Sequence, residues 1–223
     1  MMASSQQIPE EILAFSDRCA KALSRLNSPE SCIEYGREVL PELLLNRELL
    51  SELMQNMVSG ERYPDIRRPT MFDNEVVLFI HPEHLFSLRL YLWGSGDFTY
   101  PHDHNSWGVI GTATDGYEVT NYRRLDDGSV EGHAKLEELE TLRLGPGETS
   151  FTLPFNRGIH KTGNGGDRTI ITLHFYGRSL ARGYLQGFDV ANDRVYRILP
   201  PRMKKRTLAE QALETLGEPH DSL

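Results

Sequence analysis

The sequence predicts a mainly β fold, an antiparallel barrel or sandwich, with a helical segment packed against it. Three observations carry this reading. Helical spacing of apolar residues is confined to about the first sixty positions. Short runs rich in β-branched and aromatic residues follow from Val76 onward. Turn signals, not helices, separate those runs, so neighbouring strands are joined directly and pair antiparallel.

In the first segment Ile12, Phe15, Cys19, Leu23 and Leu26 recur at steps of three and four, the period of one helix face. Ser28 before Pro29 and Glu30 marks a helix start, with Ser as N-cap and Pro at the first helical position. Pro41 is expected to divide this second helix from a third running through Leu49, Leu50, Leu53, Met54 and Met57. Ser59-Gly60 should end it.

The expected strands are Val76 to Ile80, Phe86 to Trp93, Trp107 to Thr112, Tyr117 to Arg124, Leu142 to Leu144, Thr149 to Leu153 and Thr169 to Tyr176. Between them stand Gly94-Ser95-Gly96-Asp97, Asp115-Gly116, Asp126-Asp127-Gly128 and Gly145-Pro146-Gly147. Arg194 to Leu199 reads as a last strand and Thr207 to Leu216 as a short helix. The organisation is a helical segment over 1–70, a barrel over 71–200 and a tail over 201–223, one structural domain overall.

Composition excludes several classes. The formal charge of −8 argues against nucleic acid as the main partner, since phosphate binding needs clustered cations. The single basic cluster, Arg202 to Arg206, reads as a solvated face. The two cysteines, Cys19 and Cys32, imply no disulfide framework. No run approaches the roughly 20 apolar residues that span a bilayer, and the start of the chain lacks the pattern of a secretion signal. A cytoplasmic protein with no membrane or nucleic-acid partner is expected. The oligomeric state is open, a homodimer being one option.

The chemistry-bearing residues are histidines. His102 and His104 flank Asp103; on a strand their rings would share a face, with Asp103 turned away. His160 follows in Gly158-Ile159-His160, several strands later. One strand supplies the pair and a distant strand the third imidazole, a convergence that only a folded barrel could assemble and that suits one metal ion. His81 and His84 flank a Pro-Glu turn and read as surface residues.

These residues carry a family resemblance. The run from Gly96 through His102 and His104 to Gly111 resembles the first cupin motif, and Pro154 to Asn164 resembles the second. Gly108 and Val109 stand where a cupin usually places a ligand Glu, so the implied site has three neutral imidazoles and no carboxylate. With Pro-His-Asp-His and Trp107 to Gly111, this is similar to the type I cysteine dioxygenase family, nearest its bacterial branch, which includes 3-mercaptopropionate dioxygenase. The resemblance covers roughly 86–176 well and the helical segment loosely.

Thr172, His174 and Tyr176 alternate on one strand and so share a face. They resemble the Ser-His-Tyr series of thiol dioxygenases, with Thr in place of Ser. That series implies that Tyr176 donates a hydrogen bond to the reactants, His174 orients Tyr176, and Thr172 orients His174. The Cys–Tyr cross-link of the mammalian enzymes cannot form, because Gly108 or Val109 occupies the Cys position. The family's carboxylate-binding Arg falls near Val76 and Val77, or on Leu185, and is absent from both. Arg178 and Arg182 are the nearby candidates to replace it, with Trp107 as a further candidate contact to substrate.

What the resemblance implies is a non-haem Fe(II) dioxygenase that oxidises a small thiol to a sulfinate with O2. Zn, Ni or Mn suit the same ligands, so imidazoles alone do not choose the metal. The alternatives are a cupin isomerase or hydrolase using Zn, Mn or Ni, and a metal-dependent sensor or small-molecule binder.

Overall fold

A computed structural model describes residues 8–65, 72–180 and 182–216. Three helices come first: α1 (Glu10–Leu23), α2 (Pro29–Leu44) and α3 (Arg47–Ser59). Ser28 caps α2, its hydroxyl accepting from the Ser31 amide at 3.1 Å. Gly60 ends α3 in the left-handed conformation, φ 75°. Pro41 does not divide the helices as expected but lies inside α2. It lies in the last turn, three residues before Leu44, where the Arg37 carbonyl loses its i→i−4 partner but the helix continues through it. The break comes at Asn46, whose side chain accepts from the Leu49 amide at 3.0 Å.

The strands are β1 (Glu75–Ile80), β2 (Phe86–Trp93), β3 (Gly108–Thr112), β4 (Tyr117–Arg124), β5 (Leu136–Leu144), β6 (Thr149–Thr152), β7 (Ile159–Asn164), β8 (Ile170–Gly177), β9 (Leu185–Asp189) and β10 (Arg194–Ile198). The order β1-β2-β8-β3-β6 forms one antiparallel sheet and β5-β4-β7 the other, with β10-β9 beside it. The sheets are the two walls of an antiparallel barrel, as the sequence predicts.

Alternation along β2 and β8 assigns the faces. Phe86, Leu88, Leu90, Leu173 and Phe175 point outward into a core shared with Ile12, Phe15, Leu40, Leu43 and Leu44 of the helices. Gly36 lets α2 approach: a Cβ there would meet Val109 Cγ2 at 2.8 Å. Burying these stripes is what makes the helical segment part of the barrel. The opposite face carries Tyr91, Trp93, Ile110 and Ile170 inward, where they meet Tyr117, Val119 and Leu144 of the second sheet.

Two strands exceed expectation: β5 is longer and β9 lies outside the expected runs, while β7 supplies the distant strand expected to carry His160. The Glu-rich run Glu137, Glu138, Glu140 hides β5, because Glu is a poor strand former. Cross-strand partners offset this: Arg123 pairs with Glu137, and Thr120 bonds Thr141 at 2.9 Å. The last helix, α4 (Pro201–Leu216), starts six residues earlier than expected. Pro201 supplies its first position, where the missing N–H is harmless. None of its residues is buried, and the Arg202 to Arg206 cluster is solvated on it.

Candidate metal centre

His102 does not lie on a regular strand. It forms isolated antiparallel bridges to His160 on one side and to Gly187 on the other. Its amide donates to the His160 carbonyl at 2.9 Å, and the His160 amide returns the bond at 3.0 Å. The segment thus fills the gap between β7 and β9. That placement brings both histidine motifs together.

The candidate ligand atoms of His102, His104 and His160 lie within 4.8 Å of one another, and all three residues are buried. Nε2 of His104 stands 2.9 Å from Nε2 of His160. Nδ1 of His102 lies 2.8 Å from the Tyr100 carbonyl, which can only accept. That nitrogen therefore carries the proton, and Nε2 keeps a lone pair, the usual orientation of a metal-bound imidazole. Nδ1 of His160 is buried with no partner.

Burial pushes all three imidazoles below the ordinary histidine range, His104 and His160 furthest. For His104 and His160 the neighbouring imidazoles push in the same direction. All three are neutral at pH 7. Two neutral ring nitrogens so close either share one proton or turn both lone pairs to a cation. Ligand nitrogens about 2.0–2.1 Å from one ion and at right angles stand about 2.9 Å apart, so the donor set fits a transition metal.

Beside this cluster runs a hydrogen-bonded chain. Thr172 Oγ1 is 3.1 Å from His174 Nε2, and His174 Nδ1 is 2.8 Å from the Tyr176 hydroxyl. The Tyr176 ring stacks on His104 with centroids 5.4 Å apart. Burial drives His174 down to about 3, with Arg89 and His102 adding to the effect. Burial likewise raises Tyr176, with Tyr91 and Tyr117 contributing. The chain is neutral throughout the physiological range. Gly108 makes room for it, since a Cβ there would meet the Tyr176 ring at 2.6 Å.

The cluster opens on a cavity of about 310 Å³, a volume suited to a small molecule. His102, His104, Tyr91 and Tyr176 form one end; Phe72, Ile80, Phe86 and Leu185 supply apolar wall. Arg89 and Glu75 are its ion pair. Glu75 sits behind, with 1% of its side chain exposed, and Arg89 in front, with 32% exposed. The second Glu75 carboxylate oxygen is buried without a partner.

The cationic and aromatic candidates named from sequence lie elsewhere. Arg182 makes a bidentate pair with Asp103, both bonds 2.6 Å. Its guanidinium is also sandwiched near the rings of Phe155 and Tyr184. Asp103 therefore faces away from the ligands and anchors their segment, also accepting from the Gln186 amide at 2.7 Å. Arg178 is exposed and reaches the Glu83 carbonyl. Trp107 belongs to the helix-facing core and packs edge-on against Phe175. None of the three lines the cavity. The reason is alternation: Arg182 and Arg178 lie beyond the end of β8, whereas Ser87, Arg89, Tyr91 and Trp93 all turn inward from β2. That pattern was readable in Phe86 to Trp93, where a lone Arg interrupts an apolar run. His84, read as a surface residue, is exposed but stands at the cavity wall, at φ 55°.

No family model matches the chain. Among solved structures, it is similar to a DMSP lyase structure at 13% identity over 52% of each chain, TM-score 0.35. It is similar to an oxalate oxidase in complex with the substrate analogue glycolate at 18% identity, over 50% of this chain and 54% of that one, TM-score 0.36. A cupin domain from Bordetella pertussis matches at 15% identity over 51% of this chain and 99% of its own length, TM-score 0.36. The chain spans about half the length of the first two.

Proposed function

We propose that this protein is a thiol dioxygenase that uses a three-histidine metal centre and O2 to convert a small thiol to its sulfinate. The observation that carries the reading is the pairing of a carboxylate-free histidine cluster with the Thr172-His174-Tyr176 chain, whose phenol stacks on one of the ligands. A metal ion held by His102, His104 and His160, Fe(II) by family resemblance, would supply the redox chemistry and the open positions that thiolate and O2 share. Neutral ligands leave that charge undiminished, which favours an anionic sulfur.

The side chains then do the positioning. Tyr176 reaches the reacting groups with its hydroxyl, and His174 holds the phenol in place. The apolar wall of Phe72, Ile80, Phe86 and Leu185 limits water. Arg89 takes the place of the absent family Arg and receives the anionic end of the substrate. Glu75 and the Ser87 hydroxyl, 3.2 Å from Arg89 Nε, hold the guanidinium in place while its front stays open.

The test is anaerobic reconstitution with Fe(II), then oxygen uptake and mass spectrometry across thiols with and without a carboxylate. Sulfinate formation, fastest with a carboxylated thiol, is expected. No uptake with any thiol, together with tight binding of Zn or Ni, would replace this reading with a cupin enzyme of another class.

A further inference from the structure

We infer that the hydrogen-bond chain runs in one direction only, from Trp93 at its head to Tyr176 at its end, so that Tyr176 offers the cavity a proton and not a lone pair. The inference deepens the reading above and takes its catalytic meaning from it. The proton arrangement itself can be measured whether or not a thiol is the substrate.

The head of the chain is Trp93, buried on the inner face of β2. Its indole N–H meets Thr172 Oγ1 at 2.9 Å. An indole nitrogen donates and never accepts, so the Thr172 oxygen is the acceptor there. Thr172 is fully buried, and its own hydroxyl proton needs a partner. Among the described residues, the acceptor within reach is Nε2 of His174, at 3.1 Å.

A neutral imidazole that accepts at Nε2 carries its proton on Nδ1. That proton lies on the Tyr176 oxygen, 2.8 Å away. One lone pair of the phenol is then occupied from behind, and its O–H turns toward the cavity that Tyr176 lines. The Tyr117 hydroxyl, 3.3 Å from Nε2, can donate or accept and so fits either arrangement; the direction is set by Trp93 and Thr172.

The reverse direction fails on counting. A proton on Nε2 would make the Thr172 oxygen accept twice, from indole and from imidazole. Its own proton would then point at nothing in a buried site. A donor-only residue at the head closes off that arrangement. An acceptor or a water in the same place would permit it.

The consequence is a division of labour. Tyr176 can steady negative charge that develops on the reactants. It cannot act as the base that takes the thiol proton, because His174 offers it no acceptor. The thiol proton must go to solvent and not to Tyr176. Trp93 is thus a positioning residue, acting through three others.

The experiment is heteronuclear NMR of the histidine nitrogens in isotope-labelled, zinc-loaded protein, with the His174 signal assigned by its loss in His174→Gln. The inference expects one tautomer, protonated at Nδ1. Trp93→Phe, which opens space for water beside Thr172, should give a mixture of both. In the Fe(II) form it should lower kcat about fivefold, the worth of one ordinary hydrogen bond, with KM nearly unchanged. Should Trp93→Phe fail to fold, Thr172→Val is expected to give the mixture and Thr172→Ser to keep the single form. A wild-type His174 protonated at Nε2 would overturn the inference. So would a Trp93→Phe or Thr172→Val protein with an unmixed Nδ1 tautomer.

Discussion

Replacing Arg89 with Met takes away the cation around which Glu75 is buried. Only 1% of the Glu75 side chain is exposed, and one of its oxygens already lacks a partner. Breaking a buried pair by removing one member costs about 3–5 kcal/mol, because the other is left as an unpaired buried charge. Arg89→Met should cost that much. Glu75→Gln should cost nearer 1 kcal/mol, since Arg89, 32% exposed, can still be solvated. The double variant Arg89→Met/Glu75→Gln should recover most of the loss, as no charge remains. Urea unfolding followed by circular dichroism measures all three. KM separates stability from binding. Losing a charge-assisted contact of about 1.5–3 kcal/mol should raise KM for a carboxylated thiol about 10-fold to 150-fold, in the single and the double variant alike. Equal destabilisation by the two single variants would refute the one-sided burial argument. An unmoved KM in the double variant would remove Arg89 from the substrate site.

Three further outcomes follow from the centre itself. His160→Ala should lose metal while keeping the fold, whereas Tyr176→Phe should keep metal and lose about 10-fold to 1000-fold in turnover; metal analysis beside kcat distinguishes them, and equal metal loss in both would show the roles misassigned. Gly108→Ala should push the Tyr176 ring from its place beside His104, since the new Cβ meets it at 2.6 Å, lowering kcat with metal content unchanged. The metal-free protein should lose stability on acidification. The His174 value falls from the ordinary 6.5 to about 3 on folding, so the unfolded chain takes up the proton first as pH drops. Stability is full above about pH 6.5 and is lost toward about pH 3, at about 1.4 kcal/mol per pH unit for this residue alone. Urea midpoints that stay level between pH 7 and pH 5 would contradict this.

Much of this arrangement could be read from residue order. Alternation in Thr172-Leu173-His174-Phe175-Tyr176 separates a polar inner face from an apolar outer one, and the structure has both faces as written. Ser28-Pro29 and Gly60 marked helix ends through local chemistry alone. Sequence failed where partners are distant. The strand nature of β9 depends on pairing with β10 and with the His102 segment, which no local signal encodes. Arg182 sat close to the Tyr in sequence but is claimed by Asp103, 79 residues away. Arg89 was legible in principle, because it shares a face with Tyr91 and Trp93. Resemblance places the family Arg elsewhere, near Val76 and Val77 or on Leu185, and so points away from this face.

The segment bearing His102 serves as a rung as well as a ligand. It stands where a strand would otherwise join β7 to β9, held by His102, Asp103 and Phe188 amide bonds of 2.9–3.0 Å. Anything that draws the ligand out of place therefore also unzips the wall of the barrel on one side of the β9-β10 ribbon, leaving it to its bonds with Gly132 and Ala134 and to the packing of Phe188. Occupancy at the centre and slow amide exchange along that ribbon should rise and fall together, as one cooperative unit.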